Sequence, residues 1–240
     1  MKDSGFLNAK PTATPLPINL KLTFDSGVPL PDPITYRTYV GKLNFLCNRR
    51  HDISFVVQTL SQFMQNPTSL HRPALDHLLR YISGTSGQGI LLSGIDSLKL
   101  HAYSDSDWAS CPISRRSVSG FIILFNNSSI SWKSKKQGTV ARSSAEAEYR
   151  AMAHAAVEIT WLVSLLQELG VSNLKPVLLH CDNQSALHIA RNPVFHERTK
   201  HIEIDCHFTR DKVMEGLIQL SYLPTPVSYT HLTLPTNREV

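Results

Sequence analysis

Leu98, Leu100 and Ala102 alternate with Lys99, His101, Tyr103 and Asp105, the period of a half-buried strand that ends in acid. Two more strands are predicted over Ser119 to Phe125 and Ile130 to Lys133, joined across the turn-rich Asn126-Asn127-Ser128-Ser129. The period then changes. Tyr149, Met152, Ala156, Ile159, Val163 and Leu166 follow helical spacing, so a long helix is expected from Ser144 to Leu169, stopped by Gly170. Pro176 to Cys181 reads as a short buried strand entering Asp182. Helices near Gln184 to Arg191 and Lys200 to Val213, then a strand from Leu217 to Leu223, complete the order βββαβααβ. Three hairpin-linked strands followed by a crossover helix and another strand imply an α/β fold: a mixed sheet with helices packed on it.

Upstream, residues 1–33 carry six prolines, Pro11, Pro15, Pro17, Pro29, Pro31 and Pro33, and read as an extended lead-in. Helical stripes follow, Ile53, Val56, Leu60 and Phe63, then Leu70, Ala74, Leu78 and Ile82, with Gly84 as the stop. The glycine-rich stretch from Gly84 to Gly94 marks a boundary between this helical segment, residues 34–94, and the strand-rich part from residue 95.

Of the 240 residues, 42% are hydrophobic and 18% charged, which excludes wholesale disorder. A net charge of +5 suits a polyanionic partner without demanding one. Cys47, Cys111, Cys181 and Cys206 form no Cys-x-x-Cys pair, and no secretory leader precedes them, so reduced thiols in an intracellular protein are expected. No apolar run approaches the roughly 20 residues that span a bilayer, and no membrane partner is expected.

Three acids sit where this layout would gather them: Asp105 at the end of the first strand, Glu148 early in the long helix, Asp182 at the end of the fourth strand. Hard divalent cations such as Mg²⁺ take oxygen ligands, and two of them about 4 Å apart activate water and steady a leaving oxygen in phosphodiester cleavage. Glu146 is assigned elsewhere, because Ser143-x-x-Glu146 has the capping-box form and Glu146 lies outside the apolar stripe, whereas Glu148 lies on its flank. Asp107 is read as structural, with a turn beginning at Trp108. The histidines show no zinc spacing, and His196, His201 and His207 read as surface or backbone-bonding residues.

With these residues in view, the chain resembles the ribonuclease H end of copia-type retrotransposon Pol polyproteins. The resemblance is carried by Ala102-Tyr-Ser-Asp-Ser-Asp-Trp-Ala109, Ile130-Ser-Trp-Lys-Ser-Lys-Lys-Gln137, Ser143-Ser-Ala-Glu-Ala-Glu-Tyr-Arg-Ala151, His180-Cys-Asp-Asn-Gln-Ser-Ala186 and Asn192-Pro-Val-Phe-His196, in the family's order. Tyr36-Arg-Thr-Tyr-Val-Gly-Lys-Leu43, Asp52-Ile-Ser-Phe55, Leu60-Ser-Gln-Phe-Met64 and Leu79-Arg-Tyr-Ile-Ser-Gly-Thr85 look like the thumb and connection region of a reverse transcriptase. The resemblance implies a ribonuclease H-like five-stranded mixed sheet over residues 95–225. It also implies Mg²⁺ dependence, with Mn²⁺ as a substitute, and cleavage of the RNA strand of an RNA–DNA hybrid during reverse transcription. Asp105, Glu148 and Asp182 fall on the family's first three acidic ligands, and Asn183 and Gln184 on positions near the hybrid. Lys133, Lys135, Lys136 and Arg142 form an acid-free basic run suited to phosphates, or equally a solvated hairpin edge.

Two departures shape the expectation. The Asp-Asp signature of a polymerase palm is absent, so the helical segment should not synthesise DNA. The family continues after Leu220-Ser-Tyr-Leu-Pro-Thr225 into a helix bearing a fourth acid, which residues 226–240 do not match, and that tail reads as a sequence artefact. Impaired cleavage is therefore expected, with a non-catalytic nucleic-acid-binding remnant as the alternative function. Expected partners are the hybrid and the remainder of a Pol polyprotein, in the cytoplasm, a virus-like particle or the nucleus.

Overall fold

A computed structural model describes residues 9–17, 20–25, 27–94, 98–191 and 203–224, with residues 203–206 described by backbone alone. The chain divides into two compact units, Met1–Ile90 and Leu91–Val240.

The first unit is helical. α1 (Pro33–Leu46) starts on Asp32, whose side chain accepts from the Ile34 and Thr35 N–H groups, with Pro33 in the first turn where no N–H is needed. α2 (Ser54–Ser61) and α3 (His71–Gly84) follow. Tyr36, Ile53, Leu60, Phe63, Leu75 and Leu78 fill the core between them. Leu70, expected in the α3 stripe, instead precedes the helix and is exposed, because the helix begins at His71. Buried among these helices, Arg50 grips Asp52 with two hydrogen bonds of 2.8 and 2.7 Å and donates to the Thr85 carbonyl at 2.9 Å. Tyr81 donates to the same Asp52 carboxylate at 2.9 Å. Burial raises the Asp52 pKa, but the Arg50 bonds and charge outweigh it and hold the carboxyl below its ordinary value.

The second unit carries the five-stranded mixed sheet with flanking helices expected of a ribonuclease H-like α/β fold. Its strands are β1 (Leu100–Asp107), β2 (Val118–Phe125), β3 (Ser128–Lys136), β4 (Val177–Cys181) and β5 (Ile218–Tyr222), in the order β3-β2-β1-β4-β5. β2 runs antiparallel to β1 and β3, whereas β4 runs parallel to β1 and β5. α4 (Ser144–Glu168) packs on β1, β2 and β4. α5 (Gln184–Arg191) and α6 (Glu203–Met214) lie against α4 and β5. The α4 stripe read from the sequence is the buried one: Tyr149, Met152, Ala156, Ile159 and Val163 face Ala102, Phe121, Ile123, Val177 and Leu179 in a single core. At its end Gly170 takes φ +86°, and the Gly170 and Val171 N–H groups bond back to the Gln167 and Leu166 carbonyls, closing the last turn.

Two boundaries differ from expectation, both through strand pairing. The hairpin between β2 and β3 turns on two residues, not four: Asn126 and Asn127 take φ +49° and +62°, matching the twist of the flanking strands. The register passes from Ile123↔Ser131 to Leu124↔Ser129, so Ile130 is an extra residue that breaks the alternation. β1 does not end at Asp105, because pairing with β2 continues to Asp107↔Val118.

Candidate metal and nucleic-acid site

β1 outruns its parallel neighbour, and the site forms in the notch that results. β1 pairs with β4 from His101↔Leu178 to Tyr103↔His180, and β4 then stops at Cys181. The Ser106 N–H, farther along β1, donates to Glu148 Oε1 at 3.0 Å. Glu148 thus occupies an edge of β1 that a longer β4 would have covered.

Glu148 reaches this edge because α4 starts where it does. Ser143 Oγ caps the helix by accepting from the Glu146 N–H at 3.2 Å, which sets Glu148 in the second turn. The capping-box reading of Glu146 needs two amendments. Its carboxylate returns to the Arg142 N–H at 2.8 Å, one residue before the cap, and its other oxygen pairs with Arg150 at 2.9 Å. Held between these partners, Glu146 is 5% exposed, not outside the buried face.

Glu148, Cys181 and Asp182 each offer one ligand atom within 4.8 Å of the others. Asp105 joins them electrostatically. Its pKa is pushed up to about 6, first by burial and then by the charges of Asp182 and Asp107, against the opposing hydrogen bonds of the Ser106 N–H and the Glu148 carboxyl. Burial, with the Asp105 and Asp182 charges behind it, pushes Glu148 up to about 9. Asp107 is closer to this chemistry than the sequence indicated: β1 extends through it, so it shares the strand face of Asp105 and adds to the field there.

Cys181 carried no sequence signal as a site residue. Its Sγ lies 3.9 Å from Glu148 Oε2, and burial, then the Glu148 charge, raise its pKa, so it is a neutral thiol at physiological pH. The donor set is therefore three carboxylates and a protonated thiol. That chemistry fits a hard divalent cation, whose charge would offset the burial and the mutual repulsion that raise Asp105 and Glu148.

The remaining candidates are dispersed. Lys133 and Lys135 are exposed on one face of β3, while Lys136 lies on the other, in line with Val118 and Asp107. Lys136 Nζ approaches Cys111 Sγ at 3.8 Å. Arg142 is exposed just before α4. Asn183 is engaged locally: its Oδ1 accepts from the Ala186 N–H at 3.0 Å at the start of α5. Gln184 is exposed. The Asn192 to His196 motif, His201, the stretch Lys200 to Ile202, and residues 225–240 lie outside the described residues, while His207 is exposed.

The chain is 46% identical over 222 residues, 92% of its length, to the retrovirus-related Pol polyprotein from transposon RE2 of Arabidopsis thaliana. The chain belongs to the transposon Pol polyprotein family. It is also 35% identical over 242 residues to the Pol polyprotein from transposon TNT 1-94 of Nicotiana tabacum. It spans 15% of the length of the first relative and 18% of the second. Among solved structures, the N-terminal RNase H domain of a Mycobacterium tuberculosis protein matches with a TM-score of 0.41 at 12% identity, covering 57% of this chain and 91% of that one. No protein-family model matches. Among the described residues, no helix is long and apolar enough to cross a membrane.

Proposed function

We propose that residues 95–225 are the ribonuclease H part of a longer Pol polyprotein, hydrolysing the RNA strand of an RNA–DNA hybrid with a divalent cation. The observation that carries this reading is the notch at the ends of β1 and β4, where Glu148 and Asp182 meet, the Asp182 charge acts on Asp105, and the Asp105 and Asp182 charges act on Glu148. Asp105, Glu148 and Asp182 would hold the cation, Mg²⁺ or Mn²⁺, through their carboxylate oxygens. The bound cation supplies an activated water and charge for the leaving oxygen.

The chain's own groups prepare that site. The Ser106 N–H fixes one oxygen of Glu148 and leaves the other toward Asp182 and Cys181. Burial and the neighbouring charges hold Glu148 above the ordinary carboxyl range, and a cation held there would favour its carboxylate form. Lys133, Lys135 and Arg142 would track phosphates from their exposed positions, Lys136 from the Asp107 side of the sheet. Asn183, its oxygen committed to α5, has its amide nitrogen left for a nucleic acid, beside the exposed Gln184.

A labelled RNA–DNA hybrid incubated with the full chain and Mg²⁺ or Mn²⁺ tests the proposal. Cation-dependent cleavage that Asp105→Asn abolishes supports it. Cleavage indifferent to Asp105→Asn sinks the site, and tight binding without cleavage selects the non-catalytic remnant instead.

A further inference from the structure

We infer that Gln137 is a positioning residue that sets Glu148 against Asp105. The inference rests on the proposed cation site and concerns a residue outside the carboxylate set. Gln137 follows β3 directly, and its backbone N–H donates to the Ser117 carbonyl at 2.9 Å, so its side chain turns inward between the sheet and α4. It is 3% exposed.

Its Nε2 faces three oxygens on three elements: Ser119 Oγ of β2 at 2.8 Å, the Ala147 carbonyl of α4 at 3.0 Å and Ser106 Oγ of β1 at 3.5 Å. Ala147 directly precedes Glu148, and Ser106 directly follows Asp105. Ser106 is also the residue whose N–H holds Glu148 Oε1. A single amide therefore ties the N-terminal turns of α4 to β1 and β2 at the level of the carboxylates.

The orientation of that amide is fixed by chemistry. The Ala147 carbonyl can only accept, so the nitrogen must face it, and the Gln137 oxygen is left buried without a hydrogen-bond partner. A buried acceptor left open is unfavourable, and the two short N–H bonds to Ser119 and Ala147 offset it. An apolar side chain of the same length would fill the space without that cost but would leave α4 free to shift along the sheet. Carboxylate ligands lose cation affinity steeply when their supporting shell moves.

Mn²⁺ binding to the full chain, followed by the electron paramagnetic resonance signal of free ion, tests this independently of cleavage. Gln137→Met should weaken Mn²⁺ by about 10-fold or more. Ile159→Val, a core change farther along α4, should leave the affinity within about twofold at temperatures where each protein is folded by circular dichroism. If Gln137→Met does not fold, Ser119→Ala removes one anchor of the amide and should weaken binding several-fold. Wild-type affinity in whichever of the two folds overturns the inference. Wild-type binding that Glu148→Gln leaves unchanged overturns the cation site itself, and the inference with it.

Discussion

Glu148 places an ionisable group 5% exposed beside two other acids, and the consequence is a pH dependence with a definite sign. Its ordinary value is 4.5 and its folded value about 9, so the native state keeps a proton that the unfolded chain releases. Stability from this group is complete below about pH 4.5 and is lost as pH rises through about 9, while Asp105 adds the same trend between 3.8 and about 6. In cation-free buffer, urea unfolding should therefore show lower stability at pH 8 than at pH 5, and Glu148→Gln should flatten that slope. Equal slopes in both proteins would contradict the burial and charge assigned to Glu148. The neighbouring groups explain which residues the sequence revealed. Asp105 in β1, Glu148 in the second turn of α4 and Asp182 just after β4 belong to elements that periodicity and capping locate, whereas Gln137 and Cys181 depend on packing between elements far apart in the chain, which leaves no local pattern.

α4 was legible from its ends and its stripe, because caps and helical periodicity are properties of neighbouring residues. Removing the Ser143 hydroxyl by Ser143→Ala should lower stability by about 1 kcal/mol in denaturant unfolding. No loss would mean that Glu146, bonded to the Arg142 N–H, secures the first turn alone. The strands were less legible at their ends. The length of β1 is set by its pairing with Val118, and the alternation of β3 is interrupted where Ile130 bulges, so neither boundary is written in the strand's own residues. In the helical unit, Asp52, Tyr81 and Thr85 come from sequence motifs that looked like a family signature, and they meet around Arg50. Asp52→Ala leaves the Arg50 charge buried and should cost about 3–5 kcal/mol, read from the urea unfolding of that unit. A loss below about 1 kcal/mol would show the pair to be screened by water.

At the scale of the whole molecule, the excess of cations is modest, so their placement decides more than their number. Lys133 and Lys135 are exposed on one strand face, and each phosphate contact they make should steepen the salt dependence of nucleic-acid binding by about 0.9 in a log–log plot. Fluorescence anisotropy with an RNA–DNA hybrid should show the slope falling by nearly two in Lys133→Ala/Lys135→Ala, and an unchanged slope would return both lysines to the solvated edge. Cation binding by the notch remains the decisive matter. Titrating Mn²⁺ into the full chain and into Asp105→Asn, Glu148→Gln and Asp182→Asn measures it directly: each single change should weaken binding by about 10-fold or more. Any one of the three binding Mn²⁺ as tightly as the unaltered chain would contradict a site shared by these carboxylates.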